Sequence, residues 1–534
     1  MKYTFVIFAL LCFALPLPAQ WGHAPDEYIE LNGWIDPQAC SDGNGGIWIT
    51  SRMGDPCVGV EHIDRYGNVS WEGIVTPLPG CRSWGGKPVQ ADNGDLIVGF
   101  YEVLGEEDHC STFQRISQDG KLLWGENGIR YGEGGVGGLY RGPVPGTYLY
   151  ETWDLVLFND EGEFHRILMD GEEFHDGRPV ICNSNDSCVF VARQSDRDFW
   201  LTKILITGEY IWGEEPVRFE GNGKRCNLTG CTSDSIGGLI FTWVFEEYEN
   251  ANDSLRTFGV KACRIDSDGE FVWQRIVYER ETDDRGAFYD IQPIINCADS
   301  MNFFIAWTDW PYAFKVAALN IEGEFIWDEP IEIAPDCTNY DNLYGIDSYR
   351  GVCYVWIDWE ADREALIQQW GQRISTNGEC LWGDRGRAIQ ARNITGWANV
   401  SDCDGGLISA ISTNITVQMI NRNGELGVVL NTAVEDSSSD RSMLHEPRIE
   451  LFPNPFNDSI SLNYSIPMAG KWHLSIFDIN GRKVTDFGIK DLERGHYNAS
   501  WQPNNLSQGI YFIRLSNSIE LGNNEVVKKV LYLK

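Results

Sequence analysis

Basic residues are scarce in this chain: 42 Lys and Arg stand against 78 Asp and Glu, a formal net charge of −36. So negative a surface repels phosphate backbones and anionic lipid, which excludes nucleic acid and membrane surfaces as partners. After the N-terminus no apolar run approaches 18 residues, so the mature chain has no transmembrane helix. No two cysteines stand in CxxC spacing, which argues against a zinc centre or a redox pair. HExxH, GxSxG and P-loop patterns are missing, and the eight histidines are scattered from His23 to His496. "GEGGVG" at Gly132 matches GxGxxG in form but lacks the strand–turn–helix setting. The sequence therefore yields no catalytic set, no cofactor and no metal site. Helical periodicity is almost absent, which leaves strands.

The first 20 residues, "MKYTFVIFALLCFALPLPAQ", have Lys2, an apolar stretch and a small residue at Ala19. That is the form of a secretory signal peptide over residues 1–19. Cys12 lies mid-run behind Leu10 and Leu11, which does not suit a lipoprotein signal. Without Cys12, 14 of the 15 cysteines remain, an even number in an oxidising compartment. Disulfide staples within repeats are the expectation, with Cys40–Cys57, Cys182–Cys188 and Cys226–Cys231 as candidate pairs. Sequence alone does not fix their connectivity.

With 21 Trp, 21 Tyr and 56 Gly, the composition is that of a turn-rich β protein. One phrase recurs: "RYGNVSW", "SQDGKLLW", "ITGEYIW", "DSDGEFVW", "NIEGEFIW" and "STNGECLW". Its turn glycines are Gly67, Gly120, Gly162, Gly208, Gly269, Gly323, Gly378 and Gly424, about 50 residues apart. In six of these units a tryptophan follows four residues later; those at Gly162 and Gly424 lack it. An upstream phrase, as in "CSDGNGGIWITS" and "SDCDGGLISAIS", supplies an earlier strand. Each unit thus reads as a short antiparallel sheet that cannot bury its two apolar faces alone. Arranged radially, such sheets cover one another, and an indole past a tight turn fills the wedge between neighbours. The expectation over residues 25–430 is an all-β fold, a seven- or eight-bladed β-propeller. An open solenoid fits less well, since its repeats are shorter. These units resemble β-propeller repeats of secreted bacterial surface proteins, a likeness of fold and not of activity.

Residues 431–450 are polar and Ser-rich and read as a linker. Residues 451–534 then alternate as about seven strands, a small immunoglobulin-like β-sandwich. "PNPFN" (Pro453, Asn454, Pro455), "FDINGRKV" (Gly481, Arg482), "LSQGIYFIRL" (Gly509, Tyr511) and the terminal Lys534 resemble the C-terminal sorting domain of type IX secretion substrates. That resemblance implies engagement of the type IX secretion machinery. It also implies passage through the periplasm to the outer surface or beyond. His473 departs from the apolar alternation of its strand.

Loop aromatics after two apolar strands, Trp310 and Tyr312 in "WTDWPYAF" and Trp359 in "WIDWEADRE", are the candidate ligand-stacking residues. They suit a carbohydrate or protein ligand at the propeller face. Asp266 and Asp268 in "RIDSDGE" open like a calcium loop but lack its later ligands, and read as turn formers. A sialidase Asp-box is not matched, because Asp119 stands directly beside Gly120 and Trp124 is one residue too far from that glycine. The leading expectation is a surface binding or adhesion module. A polysaccharide-cleaving enzyme using acidic loop residues and a structural surface component are the alternatives.

Overall fold

The computed structural model describes residues 21–532 except 34, 53–57, 76–81, 104–108, 133–136, 152–154, 170–179, 185–186, 196, 214, 222–224, 249–254, 284–290, 292, 300–301, 310–312, 335–339, 349–350, 359–367, 392–395, 413, 428–447, 453–459, 467–469, 479–481, 493–494, 504–505, 507 and 518–524. Among the described residues no helix occurs, and eight four-stranded antiparallel sheets follow one another. Sheets 1 to 7 are consecutive in sequence, over 35–75, 82–131, 138–169, 180–220, 225–282, 294–332 and 340–391. Sheet 8 takes three strands from 397–420, and its fourth is Ile29–Glu30, which pairs with Thr416 and Val417. The first strand of sheet 8 lies beside that of sheet 1, so the ring closes on itself as a β-propeller.

The eight repeated glycines share one turn. Each has φ between 76° and 85°, and its N–H donates to the carbonyl three residues earlier. This is a type I turn followed by a left-handed residue, which only glycine adopts at no steric cost. The residue three before the glycine locks the turn where it is Asp or Asn. Asp64, Asp266 and Asn421 each accept two backbone N–H groups through Oδ1. Asp266 is thus fully used as a turn former.

The tryptophan of each phrase does not serve its own sheet. It lies against the turn glycine of the next one: Trp71 on Gly120, Trp124 on Gly162, Trp212 on Gly269, Trp273 on Gly323, Trp327 on Gly378 and Trp382 on Gly424. In four of the six the indole N–H also donates to the carbonyl two residues before that glycine, from Trp212 to Ser267 at 2.8 Å and from Trp273 to Ile321 at 2.9 Å. Trp124 and Trp382 do the same to Asp160 and Arg422. The unit at Gly424 lacks its tryptophan, and Trp21 fills the place. Trp21 is buried against Gly67, and its N–H donates to Arg65 at 2.9 Å. The ring therefore begins at Trp21, ahead of the boundary read at residue 25. Between sheets 3 and 4 no indole intervenes among the described residues, and Leu149, Leu155, Leu157, Val189, Val191 and Ile204 form the seam.

A second bond repeats across these seams. Arg115 and Arg264, on third strands, each pair with the aspartate of their own sheet's first turn, Asp95 at 2.9 Å and Asp234 at 2.8 Å. They also donate to Asp160 and Ile321, the carbonyls that Trp124 and Trp273 bind. His62 occupies the same role in sheet 1, 2.9 Å from Asp42.

Two expected cysteine pairs are corrected. Cys226 and Cys231 lie on one strand, Arg225–Ser233, so five residues at about 3.3 Å each hold them far beyond disulfide reach. Cys182 faces Phe190 across its hairpin, which leaves Cys188 on a diagonal at about 7–8 Å, also too long. Neither of these two pairs is joined by a disulfide in this structure; Cys57, the expected partner of Cys40, lies outside the described residues.

The C-terminal module has seven strands in two sheets around one apolar core. Arg448–Phe452, Ile460–Ile466 and Gly495–Trp501 form one sheet, and 470–492 with 509–532 the other. The fourth strand pairs with the third rather than joining the first sheet as in immunoglobulin constant domains. His473 is explained by its face: Trp472 and Leu474 point inward, while His473 meets Asp486 at 2.7 Å on the outside.

Replacing a latch tryptophan removes a large buried ring that nothing else can fill. Trp273→Ala and Trp21→Ala should each lower stability by about 3–5 kcal/mol. Gly323→Ala should be comparably harmful, since an added methyl would lie 2.6 Å from the Trp273 ring at φ +76°. Denaturant unfolding of the full chain checks all three.

Candidate functional site

The repeated glycine turns join third to fourth strands in sheets 1 to 7, so they lie at one end of the ring together with the connections from first to second strand. The connections from second to third strand, and from one sheet to the next, share the other. This loop end carries the sequence variation and the candidate stacking residues. Trp310 and Tyr312 fall in the second connection of sheet 6 and Trp359 in that of sheet 7; all three lie outside the described residues.

A described aromatic pair occupies the same sector. Tyr344, on the first strand of sheet 7, and Trp397, which opens the first strand of sheet 8, meet edge to face at 5.6 Å and 83°. Trp397 rests on Ile357 and Ile411, whereas Tyr344 remains 47% exposed. A register shift between Asp341 and Tyr344 turns the strand just before the tyrosine, as bulges beside binding sites do. The residues missed from sequence are these two. They sit on first strands rather than in loops, and no repeated phrase marks them.

Among the described residues, five carboxylates toward the loop end are engaged. Glu102 is fully buried, with Arg130 Nε at 3.0 Å and the Thr112 hydroxyl on the same oxygen. Glu246 pairs with Arg256 and, at 3.9 Å, with Arg225. Lys261 bonds Glu247 at 2.9 Å and lies 3.9 Å from the Phe245 ring centroid. Asp198 is bound by Arg218, and Glu151 accepts from the Tyr140 hydroxyl at 3.1 Å. These acids brace the rim, and each has a partner within its own sheet. Among the described residues no group of three or more metal-ligating side chains forms.

Two acids have markedly raised pKa values, and both lie elsewhere. Burial lifts Glu61 to about 7; Asn32 N–H holds it at 3.1 Å, and Glu72 adds repulsion. It is 1% exposed, at the seam where the closing N-terminal segment meets sheet 1. Burial likewise lifts Asp402 to about 6, although it accepts from the N–H groups of Asp404 and Gly406. Asp402 stands in a tight turn at the opposite end. Neither is placed to protonate a substrate at the loops.

Residues 450–532 match the family described as the secretion system C-terminal sorting domain. This module is a type IX sorting domain. The protein is accordingly exported to the cell surface or beyond. Within the sorting domain, Tyr511 is buried edge-on against Trp501 at 5.3 Å, Gly509 opens its strand, and Arg482 is exposed. Pro453, Asn454, Pro455, Gly481 and Lys534 lie outside the described residues. No curated protein sequence matches the chain. Among solved structures, PorZ, an essential surface component of the type IX secretion system of Porphyromonas gingivalis, aligns at 10% identity and TM-score 0.24, over 92% of this chain and 79% of its own. Prolyl oligopeptidase B from Galerina marginata aligns at 11% and 0.40, over 73% of this chain and 56% of its own, so the chain spans about half of that enzyme. The propeller domain of the Trilobed protease from Pyrococcus furiosus aligns at 8% and 0.38, over 65% and 99%. At these scores the likenesses carry no functional argument.

The sign of the Glu61 effect is testable. Its folded-state pKa stands above the ordinary 4.5, so the folded protein holds the proton more tightly. Its stabilising contribution is therefore complete below about pH 4.5 and lost as pH rises through about 7. Relative to Glu61→Gln, the unmodified protein should lose on the order of 2 kcal/mol between pH 4.5 and 7.5, read by denaturant unfolding at each pH.

Proposed function

We propose that the protein is a surface-displayed binding module whose loop end takes an uncharged carbohydrate in the sector of sheets 6 to 8. The observation that carries this reading is the half-exposed Tyr344 braced edge-on by Trp397. A rigid aromatic face with one side open to solvent suits the apolar face of a sugar ring. The net charge of −36 disfavours anionic polymers near the ring, which narrows the ligand to neutral glycans. Trp310, Tyr312 and Trp359, which follow second strands in the sequence, are the residues we expect to extend the stacking surface.

The experiment is a glycan array followed by calorimetry with the exported protein. A neutral glycan should bind without being consumed, and Tyr344→Ala should weaken it at least tenfold, about 1.4 kcal/mol. Release of shortened sugars would establish the enzyme reading instead. A protein partner captured by the same face, with no glycan bound, would replace the ligand class.

A further inference from the structure

The sequence pairs its cysteines by proximity, and the fold separates those pairs. It brings a different two together. Cys182 lies on the first strand of sheet 4, Val180–Asn183, and Cys231 on the first strand of sheet 5, Arg225–Ser233. These strands are neighbours around the ring. Cys182 is opposite Phe190 and Cys231 opposite Phe241, and both sulfurs pack on the apolar cluster that joins the two sheets. The thiols are within hydrogen-bonding reach of one another. The seam is also clamped: the Gln194 side chain donates to Cys226 O at 2.7 Å and accepts from Leu228 N–H at 2.7 Å. The sulfurs are not at disulfide distance in this structure, so the seam must tighten to join them.

We propose that Cys182 and Cys231 form a disulfide joining the inner strands of sheets 4 and 5 in the exported protein. Export carries the chain out of the reducing cytosol into oxidising surroundings, where such bonds persist. The oxidant is a disulfide-bearing thiol oxidant of the export route. Its S–S bond is reduced to two thiols while Cys182 and Cys231 give up two protons and two electrons and form one S–S bond between them. Burial, with the neighbouring Cys231 thiol, keeps Cys182 protonated once the seam is closed. Exchange therefore runs as the sheets come together, before water is excluded, and the finished bond is shielded from reductants.

The test is a disulfide map of the full exported protein, alkylated under denaturing conditions and digested without reduction. The expected result is a linked peptide pair containing Cys182 and Cys231, two hydrogens lighter than the separate peptides. Cys182→Ser should free Cys231 for alkylation. Cys182→Ser, Cys231→Ser and the double variant should lower the thermal midpoint by the same amount, about 5 °C. Treating the folded protein with diamide guards against incomplete oxidation during preparation. Full alkylation of both residues after diamide, or linkage of either one to a different cysteine, overturns the proposal. Additive losses in the double variant would show two independent thiols and overturn it as well.

Discussion

The propeller depends on one contact, an indole laid on the main chain of the next sheet's turn. Each sheet has two apolar faces and no means of covering them alone. The latch sets how neighbours approach, because the ring must reach a glycine with φ near +80° and a carbonyl two residues earlier. The same carbonyl takes an arginine from the preceding sheet at three seams, so apolar and polar contacts converge on a few backbone atoms. Closure uses the same device in a different order of chain. Trp21 and the strand Ile29–Glu30 complete a sheet whose other strands lie at 397–420, at the far end of the ring's sequence.

Much of this was legible in the sequence. The glycine–tryptophan spacing identified the turn and the wedge the ring would fill, though only Trp71 and Trp273 lie in a strand after it. What the spacing did not reveal was the partner. A period read along the chain looks the same whether the indole covers its own sheet or the next. Trp21 was invisible for a related reason: it belongs to the last unit in space and the first in sequence, with no turn glycine four residues before it. The cysteines misled through proximity. Five residues on an extended strand are far apart, while about 50 residues around one blade return the chain to its neighbour.

The candidate ligand face was less legible, for a physical reason. Repeats advertise what every unit needs for packing, and binding residues are what a single unit adds. Tyr344 and Trp397 stand on inner strands without a shared motif, and only the adjacency of sheets 7 and 8 makes them a pair. The acids, by contrast, look abundant enough for catalysis until their partners are known. Glu102 with Arg130, Glu246 with Arg256 and Glu247 with Lys261 turn an apparent reservoir of acid groups into bracing.

The latch touches a glycine and a carbonyl, which are the same in any unit that keeps the turn. A blade therefore needs no knowledge of its neighbour's side chains in order to dock. Gene segments encoding whole blades could be duplicated, shuffled or deleted without new complementary surfaces having to arise. Ring size then becomes a matter of angular fit and not of recognition. Diversity is left to accumulate on the rim, where mistakes do not break the wheel.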